Sequence, residues 1–121
     1  MASFVFLCDS RTERECLDKR LAGTTQANAL WAVRVQPSDT LFLYNFHSGI
    51  VHGPLKASGS PDLHDPHAWG GQFPIQVPFE RLEVTRSLRA ADLASSATMK
   101  VLRHGGLLSE AMCHELYPQR D

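Results

Sequence analysis

The chain has 121 residues, of which 43% are hydrophobic, a size that suits one substantial core and argues against two ordinary domains. Twelve Lys and Arg residues against thirteen Asp and Glu residues give a formal net charge of −1, which excludes the global basic field that drives non-specific nucleic-acid binding. Any nucleic-acid contact must come from a local basic patch. The three cysteines show neither a CxxC motif nor a histidine at metal-ligand spacing, which favours reduced thiols over a disulfide framework or a zinc site.

The amino terminus lacks the basic start and long apolar stretch of a secretory signal. No apolar run of the sequence approaches the roughly 18 residues that span a bilayer. We therefore expect a cytoplasmic protein that has no membrane partner.

A strand followed by a capped helix forms the predicted opening unit. Residues 4–8 are rich in β-forming side chains and end at a polar pair, as a buried strand does. Ser10 and Glu13 have the spacing of a capping box, in which both side chains bind free backbone N–H groups at a helix start. The pattern predicts a helix over about 11–21, ended by Gly23.

The middle of the chain predicts a β-hairpin and one further strand. Residues 40–44 and 50–57 are β-forming runs separated by Asn, Ser and Gly, so they should pair. Gly53-Pro54 inside the second run predicts a bulge or a sheet edge. Residues 72–79 alternate apolar side chains with polar residues or prolines, which predicts a half-buried strand at a sheet edge.

A long loop is predicted over residues 58–71, and loops of this length in a small domain are often functional. His64 and His67 lie close to two aspartates there, at a spacing that superficially resembles a metal cluster. The loop holds prolines and has no third fixed ligand, so we predict exposed imidazoles and no metal site.

The remaining chain is predicted to extend the sheet and then become helical. Residues 82–84 continue the β pattern, and two helices are predicted over about 90–102 and 107–116. We predict one domain over 1–121, in which 87–121 is a helical C-terminal extension.

Three blocks of the sequence, in their order and spacing, resemble the development and cell death (DCD) domain. They are Leu-Cys-Asp-Ser-Arg-Thr at 7–12 with Glu15-Cys16, Leu-Phe-Leu-Tyr at 41–44 with Gly53 and Lys-Ala-Ser at 56–58, and Gly-Gly-Gln-Phe-Pro at 70–74 with Gln76-Val77 and Phe79. That domain is similar to the PUA-like folds, which include YTH, EVE and ASCH domains. The resemblance implies an α+β fold, with a PUA-like curved mixed sheet or small open barrel flanked by helices and a pocket for a nucleobase or other planar ligand.

The resemblance also implies an aromatic cage, because YTH domains hold a methylated base with tryptophans from two segments. Trp69 and Phe73 have the separation found in the second of these segments, and Trp31 lies in the region of the first. A tryptophan in a Gly-rich loop offers a large π face, and its stacking on a base contributes about 1–3 kcal/mol. The alternative is that Trp69 plugs the end of the core and that Trp31, beside Val33 and Val35, also belongs to the core.

Polar residues at two strand ends complete the predicted ligand site. Asp9 and Ser10 stand at a helix start and Asn45 at a strand end, where their groups can read the polar edge of a base. Their alternative roles are N-capping and turn formation. The predicted ligand-binding residues are Asp9, Ser10, Trp31, Asn45 and Trp69.

Two groups of basic residues are candidates for phosphate contact. Arg11 and Arg14 belong to the first predicted helix, and Arg81 and Arg86 follow the long loop. If the groups converge beside the pocket, they can hold phosphates while the tryptophans hold a base. The alternative is a solvated helix face balanced by acidic neighbours.

The catalytic motifs of common enzyme classes are absent from the sequence: it has no Gly-X-Ser-X-Gly elbow and no phosphate-cradling Gly-rich loop. A nucleophile at Cys8 would need a base that the sequence does not identify. We expect a non-catalytic domain, without cofactor or metal, that binds a nucleotide or a modified nucleobase in RNA or DNA. Two alternatives remain open: a protein-interaction domain in stress signalling, with a protein partner or a homodimer, and an ASCH-like enzyme acting on a nucleoside derivative.

Overall fold

The computed structural model describes residues 1–117, which form a six-stranded mixed sheet, curled into a half-barrel, and four α-helices. The strands are β1 (Ser3–Cys8), β2 (Leu21–Thr24), β3 (Thr40–Asn45), β4 (Ile50–Ala57), β5 (Ile75–Arg89) and β6 (Gly106–Leu108). The helices are α1 (Glu13–Lys19), α2 (Ala29–Ala32), α3 (Ser96–His104) and α4 (Glu110–Leu116). The order across the sheet is β2-β5-β4-β3-β1-β6. The predicted α+β class, with a curved mixed sheet flanked by helices, is confirmed.

Strands β1 and β3 run parallel and place their carboxyl ends side by side, with Cys8 opposite Asn45. The predicted hairpin is confirmed, because β3 and β4 pair antiparallel. The predicted bulge is also confirmed, since the pairing of β4 with β5 shifts register between Gly53 and Leu55. Strand β4 lies between β3 and β5, so it is not a sheet edge.

The sheet separates two apolar cores. Because successive side chains of a strand point to opposite faces, Phe4 and Phe6 of β1 lie in the first core and Val5 in the second. Helix α1 packs on the first core. Helices α3 and α4 cover the second core through Leu102 and Leu116, which are both fully buried. No helix within residues 1–117 is long and apolar enough to cross a membrane.

Helix α1 is shorter than the sequence predicts. It begins at Glu13, and the predicted capping box does not form: the turn before it is closed by the side chain of Asp9 instead of Ser10. The helix ends because Arg20 adopts a left-handed conformation, with a φ of 55°. The prediction that Gly23 ends the helix was wrong, because Gly23 lies within β2.

Strand β5 continues through residues 82–84, as predicted, but the edge position predicted for it was wrong. Its first part, Ile75 to Pro78, pairs with β2, and its second part pairs with β4 from Phe79 onward. The proline is tolerated inside the sheet because it lies where the strand changes partners, so its missing N–H interrupts no continuous ladder.

The tail after β5 is part helix and part strand. Ser95 and Ser109 cap α3 and α4, their hydroxyl oxygens accepting backbone N–H bonds from Thr98 and Met112. The three residues before Ser109 form β6, which pairs antiparallel with β1, where the sequence predicts the start of a helix. Residues 118–121, which belong to the predicted extension, lie outside the described residues.

Candidate ligand site

The parallel pairing of β1 and β3 brings Asp9, Ser10 and Asn45 to one edge of the sheet. The Asp9 Oδ1 atom accepts the N–H groups of Arg11 and Thr12, each at 2.9 Å. Desolvation raises the pKa of Asp9, but these N–H bonds and the hydroxyl of Thr12 outweigh it, so the pKa lies below its ordinary value. Asp9 is therefore an ionised group that organises the start of α1.

Asn45 and Ser10 also take part in local turns. Asn45 is buried, and its Oδ1 atom accepts the N–H groups of His47 at 2.9 Å and of Ser48 at 3.1 Å. Ser10 is exposed, and its backbone N–H donates to Nδ1 of His47 at 3.4 Å. These contacts match the alternative reading of both residues as turn and helix-start residues.

Trp69 lies at the same end of the molecule as these three residues, and it is only 7% exposed. Its indole N–H donates to the carbonyl of Thr12 at 3.2 Å, and its backbone N–H donates to Oε2 of Glu15 at 3.0 Å. Both of its hydrogen-bond donors are thus engaged with α1 and the turn before it. Its backbone is left-handed, with a φ of 51°.

The ring of Trp69 packs tightly against β2. A Cβ atom on Gly23 would lie 2.7 Å from Cζ3 of Trp69, so the glycine leaves room for the ring. Phe73 meets the same ring edge to face, with centroids 5.2 Å apart and planes at 65°. The Trp-X-X-X-Phe spacing therefore forms a packed aromatic pair at the end of the first core.

Trp31 lies elsewhere, at the amino end of β1, and is partly exposed. It stacks on Phe4 with centroids 6.2 Å apart and meets Phe6 edge to face at 5.1 Å. Gly105 and Gly106, before and in β6, approach its indole ring closely. Trp31 and Trp69 have different aromatic partners, so they do not form the two walls of one cage in this structure.

Trp31 lines an open cleft of about 630 Å³. The residues around it are Met1, Ala2, Phe4, Trp31, Arg34, Gln36, Asp39 and Leu107. Asp39 is buried, and its two carboxylate oxygens accept the backbone N–H groups of Ala2 at 3.1 Å and Gln36 at 2.8 Å. These bonds hold together the two segments that line the cleft. The cleft therefore combines an aromatic wall with the exposed side chains of Arg34 and Gln36.

The four arginines predicted to contact phosphate are exposed, and three of them have local partners. Arg11 lies 3.8 Å from Asp9, and Arg14 lies 3.8 Å from Asp18. Arg86 donates to the carbonyls of Glu83 and Thr85 on its own strand. Arg81 lies earlier on the same strand and is also exposed. Exposed ion pairs of this kind contribute little stability, so these side chains remain free to exchange partners.

The long loop is tied to the sheet by Gln76, whose Oε1 accepts the N–H of Asp65 at 2.7 Å and whose Nε2 donates to the Asp65 carbonyl at 2.8 Å. Lys19 of α1 pairs with the Asp65 carboxylate from the other side, at 2.5 Å. Within residues 1–117, no group of three or more His, Cys, Asp and Glu side chains is placed to hold a metal ion.

The cysteines are buried and free within the described residues. A hydrogen bond with Cys16, and then burial, raise the pKa of Cys8, so its thiol stays neutral and is a poor nucleophile. Burial likewise raises the pKa of Cys113.

Three polar side chains, those of Ser87, His52 and Glu13, form a hydrogen-bonded chain that the sequence did not predict. His52 is 8% exposed, its Nδ1 lies 2.6 Å from Oγ of Ser87, and its Nε2 lies 2.7 Å from Oε2 of Glu13. Burial raises the pKa of Glu13, but the bonds from His52 and Asn45 outweigh it, so the pKa lies below its ordinary value. No local signal marks this group, because Ser87 and Glu13 are 35 and 39 residues from His52 in the chain.

A match to a known protein family covers most of the chain. The family model described as the development and cell death domain matches residues 2–103. The chain belongs to the DCD family. The fold of this DCD domain is similar to the NMR structure of Rpa0253 from Rhodopseudomonas palustris, with a TM-score of 0.59, 18% identity, and coverage of 94% of this chain and 89% of that one. At that identity the likeness shows the fold alone. No curated protein matches the chain.

The DCD domain thus separates the predicted ligand residues into two places. Asp9, Ser10, Asn45 and Trp69 surround the start of α1, where they hold turns and close the core. Trp31 stands apart, and of the five it is the one that lines the open cleft beside Arg34.

Proposed function

We propose that this DCD domain binds a ligand non-catalytically in the cleft beside Trp31, and that the cleft takes a nucleobase of a nucleotide or of single-stranded RNA or DNA. The observation that carries the proposal is a partly exposed tryptophan in a cleft of about 630 Å³. That volume lies within the roughly 300–1,000 Å³ of small-molecule sites.

The side chains around the cleft suit the parts of a nucleotide. The indole of Trp31, held by Phe4 and Phe6, offers a π face on which a base can stack. Arg34 carries a positive charge for a phosphate, and the amide of Gln36 both donates and accepts hydrogen bonds, as a base edge requires. Because the chain's net charge is −1, such a local cation is the kind of contact that binding must use.

Trp69 is the weaker candidate for ligand contact. Its ring is packed on Gly23 and Phe73 and its indole N–H already has a partner, so a ligand would first have to displace the ring from the core. In this proposal Trp69, Asp9, Ser10 and Asn45 support the fold near α1, and the ligand lies at the other end of β1.

The test is a titration of the chain with labelled short oligonucleotides and with nucleoside monophosphates, followed by anisotropy and calorimetry. Trp31→Ala should weaken binding by about 1–3 kcal/mol, which is roughly fivefold to 150-fold. Arg34→Gln should weaken phosphate-bearing ligands and reduce the salt dependence of binding, because one cation no longer replaces counterions.

The matched control is Leu30→Ala, which changes the neighbouring residue of α2, is 90% exposed in the wild type and does not line the cleft. It should leave the affinity unchanged. Trp31→Phe keeps an aromatic in the core and separates loss of stacking from loss of fold. Undiminished affinity in both Trp31→Ala and Arg34→Gln would remove the cleft from the proposal.

A protein-interaction role is the second candidate, favoured by exposed apolar side chains in and beside α2 and β6. Leu30, Val33 and Leu107 are 90%, 59% and 55% exposed. Leu30 belongs to α2, Val33 directly follows α2, and Leu107 belongs to β6, which contacts α2. Contiguous apolar surface of this kind marks many protein interfaces. A sedimentation measurement on the wild-type chain and on Leu30→Ser would separate self-association through this surface from binding of a nucleotide.

A further inference from the structure

We propose that Ser87 is an activated nucleophile that accepts an acyl group from an activated ester, with His52 as its general base and Glu13 as the residue that positions His52. This proposal goes beyond the binding at the Trp31 cleft and does not depend on it. The two places are distinct, since Ser87, His52 and Glu13 do not line that cleft.

The geometry of the three side chains is that of a proton relay. Oγ of Ser87 lies 2.6 Å from Nδ1 of His52, and Nε2 of His52 lies 2.7 Å from Oε2 of Glu13. Ser87 is exposed, whereas His52 is buried. A reagent can therefore reach the hydroxyl, while the imidazole that would accept its proton is shielded from water.

The partners of His52 determine which of its nitrogens carries the proton. An ionised carboxylate has no proton to donate, so Glu13 can only accept, and Nε2 must be the protonated nitrogen. In the neutral imidazole Nδ1 then carries the lone pair, and the hydroxyl of Ser87 donates to it. This is the arrangement that general-base activation of a serine requires, with the two ring nitrogens exchanged relative to the common serine hydrolases.

The relay is held by three separate elements of the fold. His52 of β4 and Ser87 of β5 are directly opposite each other in the sheet, so their side chains share one face at a fixed distance. Glu13 reaches them from α1, and its Oε2 atom is the one that meets His52. A relay that is fixed before a substrate arrives needs no reorganisation during the reaction.

The surroundings of Ser87 leave room for an ester. Strand β2 pairs only with Ile75 to Pro78 of β5, so the stretch from 81 to 89 has no partner strand on the side away from β4 within the described residues. The N–H of Leu82 is bonded to Oγ1 of Thr85, so in this proposal the backbone N–H groups nearer Ser87 donate to the oxyanion of a tetrahedral intermediate. Arg89, two residues after Ser87 on the same face of β5, adds positive charge nearby.

The reaction is an acyl transfer without any redox step. Oγ of Ser87 bonds to the ester carbonyl carbon while its proton moves to Nδ1 of His52. The bond between that carbon and the leaving oxygen then breaks, and the proton passes from Nδ1 to the leaving group. The products are an acyl-serine and an alcohol or phenol, and Glu13 stays ionised and hydrogen-bonded throughout.

The experiment uses p-nitrophenyl acetate and the full chain, with release of p-nitrophenolate followed by absorbance and the acetylated residue mapped by mass spectrometry. We expect stoichiometric acetylation of Ser87. Ser87→Ala should abolish the rapid phase, and His52→Gln should slow it at least about a hundredfold, the usual contribution of a general base. Ser60→Ala, which removes another exposed serine, is the matched control and should react as the wild type does.

Glu13→Gln tests the positioning role. It should slow acetylation of Ser87 and move the midpoint of its pH profile, an effect that a purely structural Glu13 would not produce. Circular dichroism of each variant shows whether it is folded. Labelling of Ser87 no faster than of Ser60, labelling confined to lysines, or an unchanged rate in folded His52→Gln would each overturn the proposal.

Discussion

Trp69 combines a backbone conformation that is unfavourable for a bulky residue with contacts that stabilise it. A left-handed φ of 51° costs such a residue roughly 1–3 kcal/mol. The ring is buried against Gly23 and Phe73, and both N–H groups of the residue are bonded. Burial of a large aromatic ring outweighs the backbone cost, so the surrounding structure can keep the residue in this conformation.

We predict that Trp69→Ala lowers the free energy of unfolding by about 3–5 kcal/mol, the usual cost of removing a large aromatic side chain from a core. Relief of the backbone strain makes the lower end of that range the better expectation. Chemical denaturation followed by far-UV circular dichroism measures the change. A loss below about 1 kcal/mol, together with lost nucleotide binding, would instead make Trp69 a ligand residue.

The two hydrogen-bond partners of His52 could not be predicted from the sequence. It stands in a β-forming run, and the alternation of that run says only that it shares a face with apolar residues. Its two partners come from α1 and β5. Only the arrangement of the strands and the helix decides that they meet.

Among the elements, α1 is held in place more by side-chain contacts than by its own length. The helix has only seven residues, too few to be stable alone in water. Glu15 binds the backbone of Trp69, and Glu13 binds His52 on β4. The helix therefore depends on two carboxylates that tie it to the long loop and to the sheet.

The Glu13 contact predicts a pH dependence of stability. Because the pKa of Glu13 is lower in the folded chain than its ordinary value of 4.5, the carboxylate stabilises the fold above that value, and this contribution is lost as the pH falls through the folded pKa. Glu13→Gln should therefore cost about 1 kcal/mol at neutral pH and progressively less in acid. Urea unfolding from neutral pH to about pH 3 measures the difference.

The control for that measurement is Glu80→Gln, which replaces an exposed glutamate of β5. Its stability should follow the wild-type curve at every pH. A difference between Glu13→Gln and the wild type that stays constant down to about pH 3 would show that the charge of Glu13 contributes nothing.

At the scale of the whole molecule, the tail completes both the sheet and the second core. Strand β6 extends the sheet beyond β1, while α3 and α4 bury Leu102 and Leu116 against the face that carries Phe42 and Val51. The family match ends at residue 103, before β6 and α4. In this chain the last described elements nevertheless pack as part of the same core.

We therefore predict that a chain ending at Arg89 does not fold, because the buried face of the second core would be open to water. It should show a broad, non-cooperative thermal transition and bind a hydrophobic dye, whereas the full chain should unfold cooperatively. A truncated chain that keeps a sharp transition at a similar temperature would show that 90–121 is a separable appendage.

The sequence by itself determined the features that depend on neighbouring residues. These are the α+β class, the hairpin of β3 and β4, the bulge at Gly53, and the blocks that place the chain in the DCD family. The hairpin and the bulge follow from local patterning and turn chemistry, which a short segment expresses wherever it lies, whereas the α+β class and the family follow from the resemblance to the DCD domain.

Tertiary structure alone decided what depends on residues distant in the chain. It put β5 between β2 and β4 in the strand order in spite of its prolines, and it made a strand of the residues at 106–108. It also buried Trp69 and left Trp31 at an open cleft, the reverse of what a Gly-rich loop suggests. The physical reason is that burial and hydrogen bonding are properties of the packed molecule, and a pattern of side chains cannot say which distant segment will cover it.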